Sequence, residues 1–269
     1  MQIDSEVHFW KYANTLQHPM IQGNKILQQH YLPEHIEQSL RRNGIEGCIA
    51  VAAQPAEMET RFLAELALTH PSIRGVVGWL DFAHPKAAEK ILDFRQYIPI
   101  RGYRIETSRD SLPAPELMEI LLENQYSLDL CLGIHPDITK LSKWLKSNSH
   151  HHFILDACGN PDTKSTPSSE WKTTILELSK NQHLSCKVSG MFERAHWKSW
   201  KPADFYPFLE ILFDAFGTGR LLFASDWPFL LLSGIYVQWK SLLEKFMEKY
   251  PTENRDQFFG ENAARFYRI

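Results

Sequence analysis

The stretch Leu221-Leu222-Phe223-Ala224-Ser225-Asp226-Trp227-Pro228 decides how the chain is read, because an apolar run passes straight into a carboxylate. Packing rarely puts an aspartate at the end of a buried strand, so Asp226 points to chemistry at a strand terminus. Near the start, Ile3-Asp4-Ser5-Glu6-Val7-His8 places Glu6 and His8 two residues apart, on one face of an extended chain. Working outward, short runs rich in β-branched and aromatic residues at 2–6, 47–52, 75–80, 98–103, 127–132, 153–156, 184–188 and 220–224 predict eight strands. Amphipathic stretches at 33–43, 57–70, 85–96, 115–124, 138–147, 170–182 and 203–216 lie between them, and further helices are expected at 236–249 and 260–267. Several of these open on proline in or just before the first turn, where the missing N–H costs nothing.

The strand runs are nearly continuous in hydrophobicity, as expected for parallel strands covered by helices on one side and packed inside a barrel on the other. Eight βα units in 269 residues match an α/β fold, a TIM (β/α)8 barrel, as one domain over 1–269. No strand is followed by a glycine-rich phosphate fingerprint, so an open dinucleotide-binding sheet lacks its motif. The irregular stretches 12–29 and 159–169 follow strands, where barrel loops roof an active site.

Hydrophobic residues make up 43% and charged residues 23%, which suits a folded core. A formal net charge of -3 gives no basic field to draw nucleic acid or anionic lipid, leaving a small molecule as the expected partner. Cys48, Cys131, Cys158 and Cys186 sit in or beside apolar runs and read as core thiols, not zinc ligands or disulfide partners. The N-terminus lacks a basic-then-apolar leader and no segment reaches a membrane span, so a reducing cytoplasm is the expected setting. His150, His151 and His152 read as a solvated loop before a strand. Nothing here specifies an oligomeric state.

In a barrel, side chains at the C-terminal strand ends converge on one mouth. Several pieces, in order, carry a resemblance: Ile3-Asp4-Ser5-Glu6-Val7-His8-Phe9-Trp10, Gly75-Val76-Val77-Gly78-Trp79-Leu80-Asp81, Gly102-Tyr103-Arg104, Phe153-Ile154-Leu155-Asp156-Ala157-Cys158-Gly159-Asn160-Pro161, Lys187-Val188-Ser189-Gly190, Ser225-Asp226-Trp227-Pro228 and Gly260-Glu261-Asn262-Ala263-Ala264-Arg265-Phe266-Tyr267. Together they resemble the lactonase-like branch of the amidohydrolase superfamily, over essentially the whole chain. The resemblance implies a TIM barrel hydrolase that opens lactones of sugar acids or aromatic breakdown products, with Asp226 as the base that takes a proton from water. It also implies a first motif His-x-His and a strand-six histidine, where this chain has Glu6-Val7-His8 and Ala157.

That departure leaves Glu6, His8 and Asp226 as three ligands for one divalent cation, zinc first, or for none. With no cation, the two carboxylates repel and one keeps its proton to high pH; protonated His8 between them would relieve this. Arg104 and His8 are then the candidates to stabilise an oxyanion. Lys187 and Ser189 are expected to bind substrate hydroxyls or a carboxylate, His135 is a further candidate, and Trp10, Trp79 and Trp227 are expected to wall the pocket. Each has a plain alternative: Asp226 capping a turn, Glu6 and His8 as a satisfied pair, Arg104 and Lys187 as interior ion-pair partners, His135 as structural. A zinc-dependent decarboxylase and a barrel that only binds are the competing functions.

Overall fold

Eight parallel strands pair in chain order: β1 (Ile3–Val7), β2 (Gly47–Val51), β3 (Ile73–Trp79), β4 (Ile100–Glu106), β5 (Ser127–Cys131), β6 (Phe153–Leu155), β7 (Leu184–Val188) and β8 (Leu221–Phe223). The structure is a computed structural model that describes residues 1–13, 18–97, 99–107, 111–133 and 136–269. The circle closes where Val7 bridges Trp227 and Ser5 Oγ donates to Phe223 O over 2.7 Å. The expected TIM barrel is therefore the fold.

The helices are α1 (Pro19–Gly23), α2 (Pro33–Arg42), α3 (Glu57–Thr69), α4 (Ala87–Phe94), α5 (Pro115–Glu123), α6 (Ile138–Ser147), α7 (Ser169–Leu178), α8 (Pro202–Phe216), α9 (Tyr236–Met247), α10 (Thr252–Asp256) and α11 (Asn262–Tyr267). Local chemistry sets several starts. The Asp137 and Ser168 side chains accept from Lys140 N and Trp171 N, capping amides that have no partner within α6 and α7. None of the described helices is long and apolar enough to cross a membrane.

The barrel interior divides into two halves of opposite character. Ile3, Ile49, Val51, Val77, Ile154 and Leu222 form an apolar group with Ala263 and Tyr267 of α11, which plugs the base. On β5 and β7 the buried residues include Asp129 and Lys187, both with no exposed surface. Such burial is tolerable only where each charge is paired.

Two local features aim side chains at the mouth. Between Asp4 and Val7, β1 slips against β2, so three steps on one strand match two on the other. This bulge lets Ile3 face inward at the base while Glu6 and His8 face inward at the top. On β4 the strand was expected over 98–103, yet it runs Ile100–Glu106, and position 98 lies outside the described residues. Arg104 and Glu106 remain paired with Asp129 and Cys131, so polar residues that read as a strand end lie on the ladder.

The four cysteines are free, with Cys48, Cys158 and Cys186 buried. The histidine run differs from the expected solvated loop: His151 is buried, and its Nε2 lies 2.8 Å from Met118 O. His150 and His152 stay exposed.

Gly260 lets the C-terminal segment close onto the N-terminus. A Cβ there would stand 2.8 Å from Gln2 Cα and 2.9 Å from Met1 C, against backbone that cannot rotate away. Gly260→Ala is expected to lower stability by about 1–3 kcal/mol, read as a lower urea midpoint at unchanged slope. An unaltered midpoint would show that the base tolerates separation.

Candidate active site

The end of β8 is stitched to β1 by main-chain bonds. Asp226 N donates to Glu6 O over 3.0 Å, and His8 N donates to Trp227 O over 2.7 Å. Asp4, buried beneath, holds the same turn, accepting from Ser225 N at 2.9 Å and from the Tyr236 hydroxyl at 2.8 Å. Asp226 itself has φ 58°, a left-handed conformation that aspartate tolerates better than most residues. The result is that Glu6, His8 and Asp226 meet, each offering one donor atom within 4.8 Å of the others.

The end of β2 orients the rest. His8 Nδ1 lies 2.8 Å from Val51 O, which fixes the proton on Nδ1 and leaves the Nε2 lone pair facing Asp226 Oδ1 at 3.1 Å. Arg104 Nη1 donates to Ala52 O over 3.1 Å. Glu59 secures this loop, accepting from Ala53 N at 2.9 Å and Gln54 N at 2.8 Å.

Two acceptors facing each other at 3.1 Å require a proton or a cation between them. Burial lowers His8, with Arg104 opposing a second proton, whereas burial and the charge of Glu6 push Asp226 well above the usual carboxylate range. Protonated His8 is thus not what separates the carboxylates. Both shifts favour a shared proton on Asp226, donated to the Nε2 of a neutral His8.

The same atoms fit a divalent ion. The buried Glu6 Oε1 has no hydrogen-bond partner among the described residues, while Glu6 Oε2 accepts from Ser189 Oγ at 2.5 Å. Glu6 Oε1 lies 3.9 Å from His8 Nε2. Ligands bound to one ion at 2.0–2.2 Å stand about 3.4 Å apart, so small adjustments would suffice. The position of the expected strand-six histidine adds no donor: Ala157 has φ 45° and packs where a Cβ on Gly190 would come within 2.7 Å of its own Cβ.

The remaining candidates divide by position. Arg104 is one-fifth exposed; its Nε lies 2.9 Å from Asp156 Oδ2 and its Nη2 lies 3.9 Å from Glu6 Oε1. Lys187, expected to contact substrate, is enclosed instead, 2.6 Å from Asp129 Oδ2 and 2.9 Å from Asp156 Oδ1. Burial disfavours its charge, and the two carboxylates outweigh that and hold its proton well above the usual lysine range. Ser189 spends its hydroxyl on Glu6. Trp10 and Trp227 are also buried, packed with Phe9, Tyr31 and Phe229 instead of walling an open pocket. Trp79 is half-buried at the end of β3. His135 lies outside the described residues.

The Amidohydrolase family profile matches residues 3–269. The chain belongs to the amidohydrolase family. It is 30% identical to an L-fucono-1,5-lactonase of Burkholderia multivorans, covering 100% of this chain and 96% of that protein. An L-fucono-1,5-lactonase of Burkholderia ambifaria is 25% identical over the same shares. A crystal structure of a Burkholderia multivorans amidohydrolase with bound zinc superposes with a TM-score of 0.90 at 29% identity, covering 100% of this chain and 99% of that one. A dihydroxybenzoic acid decarboxylase from Polaromonas shares the fold at 15% identity and a TM-score of 0.63, which shows the fold alone.

Several residues of this amidohydrolase escaped the reading of its sequence. Asp156 follows β6 much as Asp226 follows β8, and Asp129 interrupts the apolar run of β5; both signals were visible in the strand pattern. Glu193 had no such signal. It lines a narrow space with Gly190, Ser225 and Asp226, and burial beside Asp226 raises it to about 8. Next to it, Arg194 borders a cleft of about 470 Å³ with Glu106, Cys131, Asn160 and Trp171, large enough for a small ligand. A larger hollow of about 890 Å³ lies between α5 and α6, against Met118 and Trp144, and neither hollow is lined by Glu6, His8 or Asp226.

Burial lifts Glu59 from 4.5 to about 7. A group raised on folding adds stability below its unfolded value and loses it as pH climbs through the folded one. On the order of 3 kcal/mol should therefore disappear between pH 4.5 and about 7. Urea midpoints should fall over that window, and Glu59→Gln should flatten this part of the slope; an identical slope in the variant would refute the assignment.

Proposed function

We propose that this chain is a lactonase that opens a small sugar-acid lactone. One observation carries the reading: Asp226, Glu6 and His8 form a single buried cluster at the C-terminal strand ends, beside Arg104. The lactonase relatives, similar along the whole chain, support the ester bond as the target. No observation of the site favours the decarboxylase reading over it.

The chain's own groups account for the reaction in order. Asp226, as a carboxylate, takes a proton from the water that attacks the lactone carbonyl carbon. Negative charge then develops on the carbonyl oxygen, where the part-exposed guanidinium of Arg104 is placed to stabilise it. As the ring C–O bond breaks, the leaving oxygen recovers the proton from Asp226, giving the hydroxy acid. His8, fixed by Val51 O, holds Asp226 in place. The cleft beside Arg194 and Asn160 is the natural seat for the substrate's hydroxyls.

A divalent ion, zinc in our reading, would be held by Glu6, His8 and Asp226, and when bound supplies Lewis-acid polarisation there. The donor set of one nitrogen and two oxygens is what makes the ion's identity open to harder cations. Four free thiols fit a reducing cytoplasm.

Turnover should be assayed on a panel of aldonolactones with a pH indicator. Asp226→Asn, which tolerates the left-handed backbone, should cost about 10²- to 10⁴-fold in kcat with the circular dichroism spectrum unchanged. Full activity in that variant, or no turnover of any lactone by the parent enzyme, would refute the proposal. Removing the cation with a chelator should move the acid limb of kcat/KM to higher pH, because Asp226 must first lose the proton it shares with His8. A limb that stays in place would exclude an ion at this cluster.

A further inference from the structure

A row of buried polar contacts runs from the base of the barrel to its mouth. The Tyr267 hydroxyl, on α11, donates to Asp129 Oδ2 over 2.7 Å, and Ser127 Oγ donates to Asp129 Oδ1 over 3.2 Å. Lys187 Nζ joins Asp129 to Asp156, at 2.6 Å and 2.9 Å. Asp156 then meets Arg104 Nε at 2.9 Å. Two cations balance two anions, and Tyr267, Asp129, Lys187 and Asp156 are all buried.

We propose that Tyr267, Asp129 and Lys187 are positioning residues that set the orientation of Arg104 from the far end of the barrel. The inference rests on the role given to Arg104 in the lactonase reading. Asp156 is the shared ion-pair partner, one oxygen 2.9 Å from Lys187 Nζ and the other 2.9 Å from Arg104 Nε, so a displacement of its carboxyl moves the charge against which the guanidinium sits. Arg104 has its Nε edge on Asp156 and Nη1 on Ala52 O, which leaves Nη2 directed at the Glu6 side of the cluster.

Packing alone does not explain the tyrosine. Its ring fills an apolar base made by Ile3, Ile49, Val77 and Leu222, a task phenylalanine performs equally well. Among the described residues its hydroxyl hydrogen-bonds upward, to Asp129. Removing Lys187 would strand two buried carboxylates, so the informative changes are the mild ones, Tyr267→Phe and Ser127→Ala, each deleting one hydrogen bond to Asp129.

The first measurement needs no substrate. The Arg104 Nε–H resonance, assigned by its loss in Arg104→Lys, should shift and exchange faster with water in Tyr267→Phe and in Ser127→Ala than in the parent. The second is kinetic: Tyr267→Phe should lower kcat for lactone hydrolysis about 3- to 10-fold, the range of one net hydrogen bond, with KM unchanged. In an Arg104→Ala background the same change should cost nothing further, since coupled residues are not additive. An unmoved Arg104 resonance in both variants, or a kcat loss that persists in full without Arg104, overturns the inference. Should no lactone turn over, the lactonase reading fails by itself and the resonance still decides the relay.

Discussion

The site exists because the last strand is tied to the first by main-chain atoms. Asp226 N on Glu6 O and Trp227 O on His8 N close the circle at the level of the chemistry, not below it. Each bond joins backbone of one side of the cluster to backbone of the other, so the distances among Glu6, His8 and Asp226 are set by the ladder and not by flexible side chains. The buried carboxylate of Asp4 reinforces the seam from behind, gripping Ser225 and Tyr236. A catalytic group held in this way loses little freedom when substrate arrives, which is what preorganisation requires.

Much of this was legible in the sequence. The alternation of apolar runs with amphipathic stretches gave eight strands because parallel barrel strands are buried on both faces and stay apolar throughout. Glu6, His8 and Asp226 stood out because a polar residue following such a run has few structural uses. The partners of interior charges were not legible. Lys187 looks like a substrate contact at a strand end, and its partner Asp129 lies 58 residues away, related only through the strand register. Trp10 and Trp227 resemble pocket walls in sequence, yet aromatic packing with Tyr31 and Phe229 turned them inward. The balance between His8 and Asp226 was not legible either, because burial opposes a charged imidazole as well as a carboxylate and so lowers the one while raising the other.

The interior combines an apolar base with a buried group of charges. The first three strands, β6 and β8 contribute aliphatic side chains low in the barrel, while β5, β7 and the residue after β6 contribute Ser127, Asp129, Lys187 and Asp156. Charges enclosed like this stabilise little in net terms compared with a hydrophobic filling. Their value lies in direction: ion pairs fix angles that aliphatic contacts leave loose. An arginine used to stabilise transient charge needs to be held in place, and Ala52 O and the charge of Asp156 hold Arg104.

The extra residue in the first strand has a consequence for how this barrel can change. It converts the inside–outside alternation partway along the strand, so that Ile3 seals the floor and Glu6 and His8 reach the opening from the same segment. Loops elsewhere can lengthen or shorten with only local effect. Deleting or inserting a single residue between Asp4 and Val7 would exchange the floor for the wall, turning the two polar groups toward the surrounding helices. The architecture is therefore permissive around its rim and rigidly counted at this one place.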